Sequence, residues 1–142
     1  MLVATAVMTG LAIPITISSN QSKALQEPLT ALNTLTNDSG ERQIKQAISE
    51  VANKYGVEKN TMIALAECES GFRDICIIDT NGKWSCGFYM FQESTLKHFC
   101  PDLKWGKGHI KDNIVCAGRM IKQGIMKIHW VNCTKKILKG SI

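Results

Sequence analysis

No two of the six cysteines stand at the spacing of a metal knuckle, and no compact Cys/His cluster is present. A structural zinc site is therefore not expected. Aromatic residues make up only 6% of the chain and no nucleic-acid-binding motif appears, so nucleic acid is not an expected partner. His98, His109 and His129 have no sequence partner for nucleophilic or metal chemistry, and neither a metal nor a cofactor is expected. No internal repeat is visible, and 142 residues leave little room for a second domain. Long apolar runs are also scarce. Leu2 to Ile17 carries no charge and is mostly apolar or small, but it is short for a membrane span and fits a signal-peptide core or a short anchor. No Lys or Arg precedes it, as a signal peptide would normally require, whereas Ser22-Lys23-Ala24 supplies small residues suited to a signal peptidase. Export is the expectation, with N-terminal membrane association as the alternative.

What the chain does have is cysteine in its second half: Cys68, Cys76, Cys86, Cys100, Cys116 and Cys133. An even, widely spaced set fits three disulfides in an oxidising compartment better than free buried thiols. Spacing alone leaves the pairing open, although Cys76 and Cys86 bracket a turn signal and are the favoured pair. Lys and Arg outnumber Asp and Glu by 17 to 12, a net charge of +5. That balance suits an anionic partner such as cell wall or a membrane surface, and equally a basic surface kept for solubility. Lys135, Lys136 and Lys139 are read as such solvated residues.

Residues 18–40 are rich in Ser, Asn, Thr and Gln, with Pro28 and an Asp38-Ser39-Gly40 turn signal. They read as a linker with little fixed structure and at most one weak helical turn. Ile44, Ala47, Ile48, Val51, Ala52 and Tyr55 then form the apolar stripe of an amphipathic helix that Gly56 stops. A second helix is predicted from about Glu58 to Ser70, ended by Gly71. Ile75 to Phe88 holds short apolar stretches around Asp79-Thr80-Asn81-Gly82. Asn-Gly favours a two-residue hairpin turn, because both positions tolerate positive φ. Gln92 to Phe99 reads as a short helix, and Ile110, Ile114, Ala117, Ile121, Ile125 and Ile128 as one long helix that Gly124 loosens in its last turn.

The second helix carries a carboxyl group on its apolar side. At roughly 100° per residue, with Met62 at zero, Leu65 comes at about 300°, Glu69 at about 340° and Ala66 at about 40°. Glu67 falls on the edge of the stripe, where water reaches it. A carboxyl on an apolar face loses hydration of its charged form and its pKa rises. A glycosidic bond needs such a group, neutral near pH 7 and able to protonate the leaving oxygen. The competing reading is a structural Glu69 that caps a helix end or pairs with a lysine.

Glu69-Ser70-Gly71-Phe72, preceded by Met62-Ile63-Ala64-Leu65-Ala66, resembles the catalytic helix end of the soluble lytic transglycosylases and goose-type lysozymes. That family then has a Gly-Leu-Met-Gln-like segment and a Thr, a place filled here by Ser85-Cys86-Gly87-Phe88-Tyr89-Met90-Phe91-Gln92-Glu93-Ser94-Thr95. The Ile110 to Ile121 helix, with Ala117, resembles the family's third supporting helix. The resemblance spans about residues 44 to 133. The Gly-to-Gln run is longer by two residues, so Gly87 and Tyr89 compete for the glycine position. The family's late Tyr-Asn-x-Gly-like segment is missing, with Trp130-Val131-Asn132-Cys133 the nearest candidate.

The resemblance implies a mainly α (α+β) fold: a lysozyme-like helical domain with one small β-hairpin, stapled by disulfides. The implied organisation is a signal peptide or anchor over 1–24, a flexible linker over 25–40 and the domain over 41–142. It implies a monomer acting on peptidoglycan glycan strands in the periplasm, cell envelope or extracellular space, with Glu69 as general acid and base and no metal. Intramolecular attack by the muramic C6 hydroxyl needs no second carboxylate, because the nucleophile is already tethered. Asp79 is either a turn residue or that second carboxylate, as a hydrolytic lysozyme would use, and Asp74 has the same ambiguity. Ser70, Tyr89, Gln92 and Thr95 are the remaining candidate substrate-binding residues, although Ser70 could equally cap the helix. Met90 and Phe91 are expected in the core. Trp84, Trp105 and Trp130 are stacking platforms or packing residues. Rival classes are a wall-binding protein that does not cut and a basic protein acting on membranes.

Overall fold

The computed structural model of the chain describes residues 29–140; the expected signal peptide or anchor over 1–24 lies outside them. The chain is mainly helical, with a small antiparallel sheet and three disulfides. In order come α1 (Thr30–Thr34), α2 (Glu41–Tyr55), α3 (Lys59–Ser70), β1 (Cys76–Ile78), β2 (Trp84–Cys86), β3 (Phe91–Gln92), α4 (Glu93–Phe99), α5 (Ile110–Lys122), α6 (Met126–His129) and α7 (Val131–Leu138).

The apolar stripe of α2 is buried as its spacing requires: Ile44, Ala47, Ile48, Val51 and Ala52 all face inward. Gly56 takes the left-handed conformation that ends the helix. Against this stripe pack α1, α3 and α5. The α2–α5 approach is close enough that a Cβ on Gly118 would meet Val51 and Tyr55, each at 2.8 Å. Glu58 caps α3, its carboxylate accepting the backbone N–H of Asn60 and Thr61.

Three expectations are corrected. Part of the segment assigned to a linker over 25–40 is packed: α1 buries Leu32, Leu35 follows it into the core, and the Glu50 carboxylate accepts the N–H groups of Ala31 and Leu32 at 2.9 and 3.0 Å. The single long helix after Ile110 is broken. Gly124 adopts φ +77, and the chain restarts as the separate helices α6 and α7. The hairpin loop runs over Asp79–Lys83 rather than two residues. Gly82 N–H bonds the Asp79 carbonyl and Asp79 N–H the Lys83 carbonyl, so only Gly82 needs positive φ. A third strand, β3, extends the expected hairpin, giving the order β1-β2-β3.

The disulfides are Cys68–Cys133, Cys76–Cys86 and Cys100–Cys116. The favoured Cys76–Cys86 pair is thus formed across β1 and β2, whose register sets the two residues opposite each other. Among the described residues no helix is long and apolar enough to cross a membrane.

Candidate active-site cleft

Glu69 sits in the last turn of α3 and opens onto a cleft of about 460 Å³. The sheet builds one wall. Ile77 pairs with Ser85, and Ser85 with Gln92, so the two-residue alternation of strands turns this cross-strand row toward the cleft. Asp79, just beyond β1, joins the same wall, and Thr95 on α4 adds to it. The opposite wall is His129, Trp130, Val131 and Asn132, where α6 meets α7. Breaking the expected long helix at Gly124 is what brings this wall round.

The two carboxyl groups differ in surroundings. Glu69 is half-buried and has neither a hydrogen bond nor an ion pair among the described residues, which removes the reading of it as a cap or lysine partner. Burial and then the negative charge of Asp79 push its pKa up from 4.5 to about 6, against a weaker pull from Lys136. Asp79 instead accepts hydrogen bonds at Oδ2 from the Ser85 hydroxyl and from Gln92 Nε2, the latter at 2.7 Å. These two donors fix its orientation. Its backbone makes the expected turn, and its side chain lines the cleft. Asp74 lies elsewhere, accepting the Gly108 N–H at 2.7 Å.

Of the expected site residues, Glu69, Asp79, Gln92 and Thr95 meet in the cleft. Ser70 and Tyr89 do not. The buried Ser70 hydroxyl lies within reach of the Ala66 and Phe88 carbonyls, at 3.2 and 3.0 Å, and so pins the end of α3 to the 87–90 loop. Tyr89 is fully buried, and its hydroxyl donates to the Met62 carbonyl at 3.1 Å. Its own carbonyl accepts the Trp130 indole N–H at 2.8 Å. Tyr89 therefore ties α3 to the opposite wall without lining the cleft, and burial raises its pKa further above the phenol range.

Of Gly87 and Tyr89, only Gly87 has a left-handed backbone that favours glycine. Gly87 adopts φ +83, and a Cβ there would meet the Asn113 side chain at 2.4–2.9 Å. Asn113 is committed, donating to the Cys86 carbonyl and accepting the Tyr89 N–H. Gly87→Ala should therefore cost about 2–4 kcal/mol, from left-handed strain plus overpacking. Urea unfolding measures it, and an unchanged midpoint would mean that Asn113 yields freely.

Sequence reasoning missed Ser85, Met90, Ile77 and His129 as cleft residues, and offered Val131 only within the Trp130-Val131-Asn132-Cys133 segment. Ser85 was legible in principle, since it shares the strand face of Ile77. Met90 was expected in the core beside Phe91; it is nearly buried yet lines the cleft, held at φ +50 by the tight turn after Gly87. His129 stacks on Phe91 with ring centroids 5.5 Å apart, and burial lowers its pKa by disfavouring the charged imidazolium. Among the described residues no group of three or more His, Cys, Asp or Glu is arranged to hold a metal ion.

Comparison with protein-family models, with curated proteins and with solved structures finds no match for this chain.

Proposed function

We propose that the protein is an exported enzyme that cuts peptidoglycan glycan strands in a lysozyme-like domain, with Glu69 as general acid and then base. The observation that carries this reading is the unpartnered Glu69 carboxyl, held in a cleft with its pKa pushed up to about 6. Its proton goes to the oxygen between N-acetylmuramic acid and N-acetylglucosamine as that bond breaks. The resulting carboxylate takes the proton of the muramic C6 hydroxyl, whose oxygen closes on C1 to give a 1,6-anhydro end. The Glu69-Ser70-Gly71-Phe72 motif supports the assignment to this chemistry. Three disulfides fit the oxidising compartment in which cell wall lies.

A second reading is hydrolysis, in which Glu69 activates water instead. It is favoured by Asp79, a second carboxyl group oriented in the cleft by Ser85 and Gln92, which can stabilise positive charge at the anomeric carbon. Mass spectrometry of the products from purified cell wall separates the two. The first reading predicts 1,6-anhydro ends, the second reducing ends, and no solubilised fragment at all would refute both.

The pH dependence follows from the direction of the shift. Only protonated Glu69 can donate, so kcat/KM should fall about tenfold per pH unit above about 6, once the carboxyl ionises in most molecules. Asp79→Asn removes a charge that raises Glu69, so the falling limb should move to lower pH. Initial rates of wall solubilisation across the acid-to-neutral range check both points; a limb that stays in place in the Asn variant would remove Asp79 from the account.

A further inference from the structure

Gln92 borders more than the cleft. It also lines a smaller hollow of about 310 Å³, together with Lys83, Trp84, Glu93, Ser94 and Trp105. The two depressions meet at this one side chain.

The tryptophans flanking the hollow are held differently. Trp105 is half-buried and fixed, its indole N–H donating to the Phe91 carbonyl at 2.6 Å. Trp84 is 51% exposed at the start of β2, and its indole N–H has no hydrogen bond among the described residues. Its apolar face lies open to water, and its indole N–H is available to a ligand. Between the rings stand only groups that form hydrogen bonds. Glu93 is already paired with Lys97 at 2.6 Å, which leaves the Lys83 ammonium as the hollow's uncompensated charge among the described residues. Flat apolar surface with polar groups at its rim matches a pyranose ring, which has C–H faces and equatorial hydroxyls.

We propose that the Trp84–Trp105 hollow is a second saccharide-binding site, holding a further sugar ring of the strand whose bond lies at Glu69. The proposal rests on the glycan reading of the cleft. It makes Gln92 the link between the two sites, one side of it fixed to Asp79. Longer strands then gain affinity that short ones lack.

The test uses the full protein carrying Glu69→Gln, so that ligand is not consumed. Oligomers of N-acetylglucosamine, a disaccharide and a hexasaccharide, are titrated while the indole N–H resonances are followed by NMR. With the hexasaccharide the Trp84 and Trp105 signals should move, while that of Trp130, buried and bonded to Tyr89, should move little. Trp84→Ala should weaken hexasaccharide binding about tenfold and leave the disaccharide unchanged, with Trp84→Phe restoring most of the loss. Should the hexasaccharide move only cleft signals such as Asn132, with Trp84→Ala neutral, the second site is refuted and the glycan reading stands. Movement of the two indoles without any cleft signal would support the second site and refute the reading of the cleft. Binding at neither place would refute both, as would indole shifts produced by a wall stem peptide and by no saccharide refute the sugar assignment.

Discussion

Glu69→Gln should lower glycan cleavage about a thousandfold or more, in line with the 10²–10⁴ that a positioned general acid supplies. Glutamine keeps the size and shape of the side chain but has no acidic proton to give the leaving oxygen. The fold should not suffer. In the native protein the Glu69 pKa lies above its ordinary 4.5, at about 6, so the folded state resists ionisation. Stability is thus lost as pH climbs from about 4.5 through about 6, and the penalty persists above that range. Glutamine removes it. The variant should therefore be at least as resistant to heat as the native chain at pH 8, which separates loss of chemistry from loss of structure. Wall solubilisation and thermal unfolding measured side by side give the result. Undiminished cleavage would show that Glu69 is not the acid, and unchanged wall binding without any cleavage in either protein would favour a binder that does not cut.

Replacing both Cys68 and Cys133 with Ala should cost about 4 kcal/mol, the largest stability loss among the three bridges by loop-entropy reasoning. This bridge joins positions 65 residues apart, against 10 for Cys76–Cys86 and 16 for Cys100–Cys116. Longer loops release more chain entropy when opened, so the two shorter bridges should cost about 3 kcal/mol each. The long bridge also bears on function. Cys68 adjoins Glu69 on α3, and Cys133 adjoins Asn132 on α7, so the tether fixes the α7 wall of the cleft to the helix that carries Glu69. Its removal should reduce cleavage even at temperatures where the protein stays folded. Urea unfolding of the three double-alanine variants orders the losses. A smaller loss for the long bridge than for Cys76–Cys86 would contradict the unfolded-state argument.

Local patterns carried α2, α3 and the placing of the Glu69 carboxyl, and failed where distant partners decide. The stripe of α2, the capped run of α3 and the place of Glu69 on its apolar side are all periodic features that residues a few positions apart create. The Cys76–Cys86 pair was legible because a turn lies between them. Residues 29–40 looked like linker because their composition is polar. What orders α1 is Glu50, 18 and 19 residues away from the amides it accepts. Likewise Tyr89 and Ser70 are chemically suited to bind sugar, and only their burial and their backbone acceptors, 27 and 18 residues distant, give them to the scaffold. The isoleucine spacing beyond Ile121 matched a helix so well that it outweighed Gly124. In the folded chain the left-handed turn there wins, and it brings round the wall for which Trp130-Val131-Asn132-Cys133 was the candidate segment.

The mechanism depends on a half-buried Glu69 carboxyl group whose pKa is raised by burial and by the charge of Asp79. Its direct measurement is the titration of the Glu69 side-chain carboxyl by carbon NMR, assigned through the signal lost in Glu69→Gln. A midpoint near 6, moving down in Asp79→Asn, is the expected result. A midpoint at the ordinary 4.5, unaffected by Asp79, would contradict it.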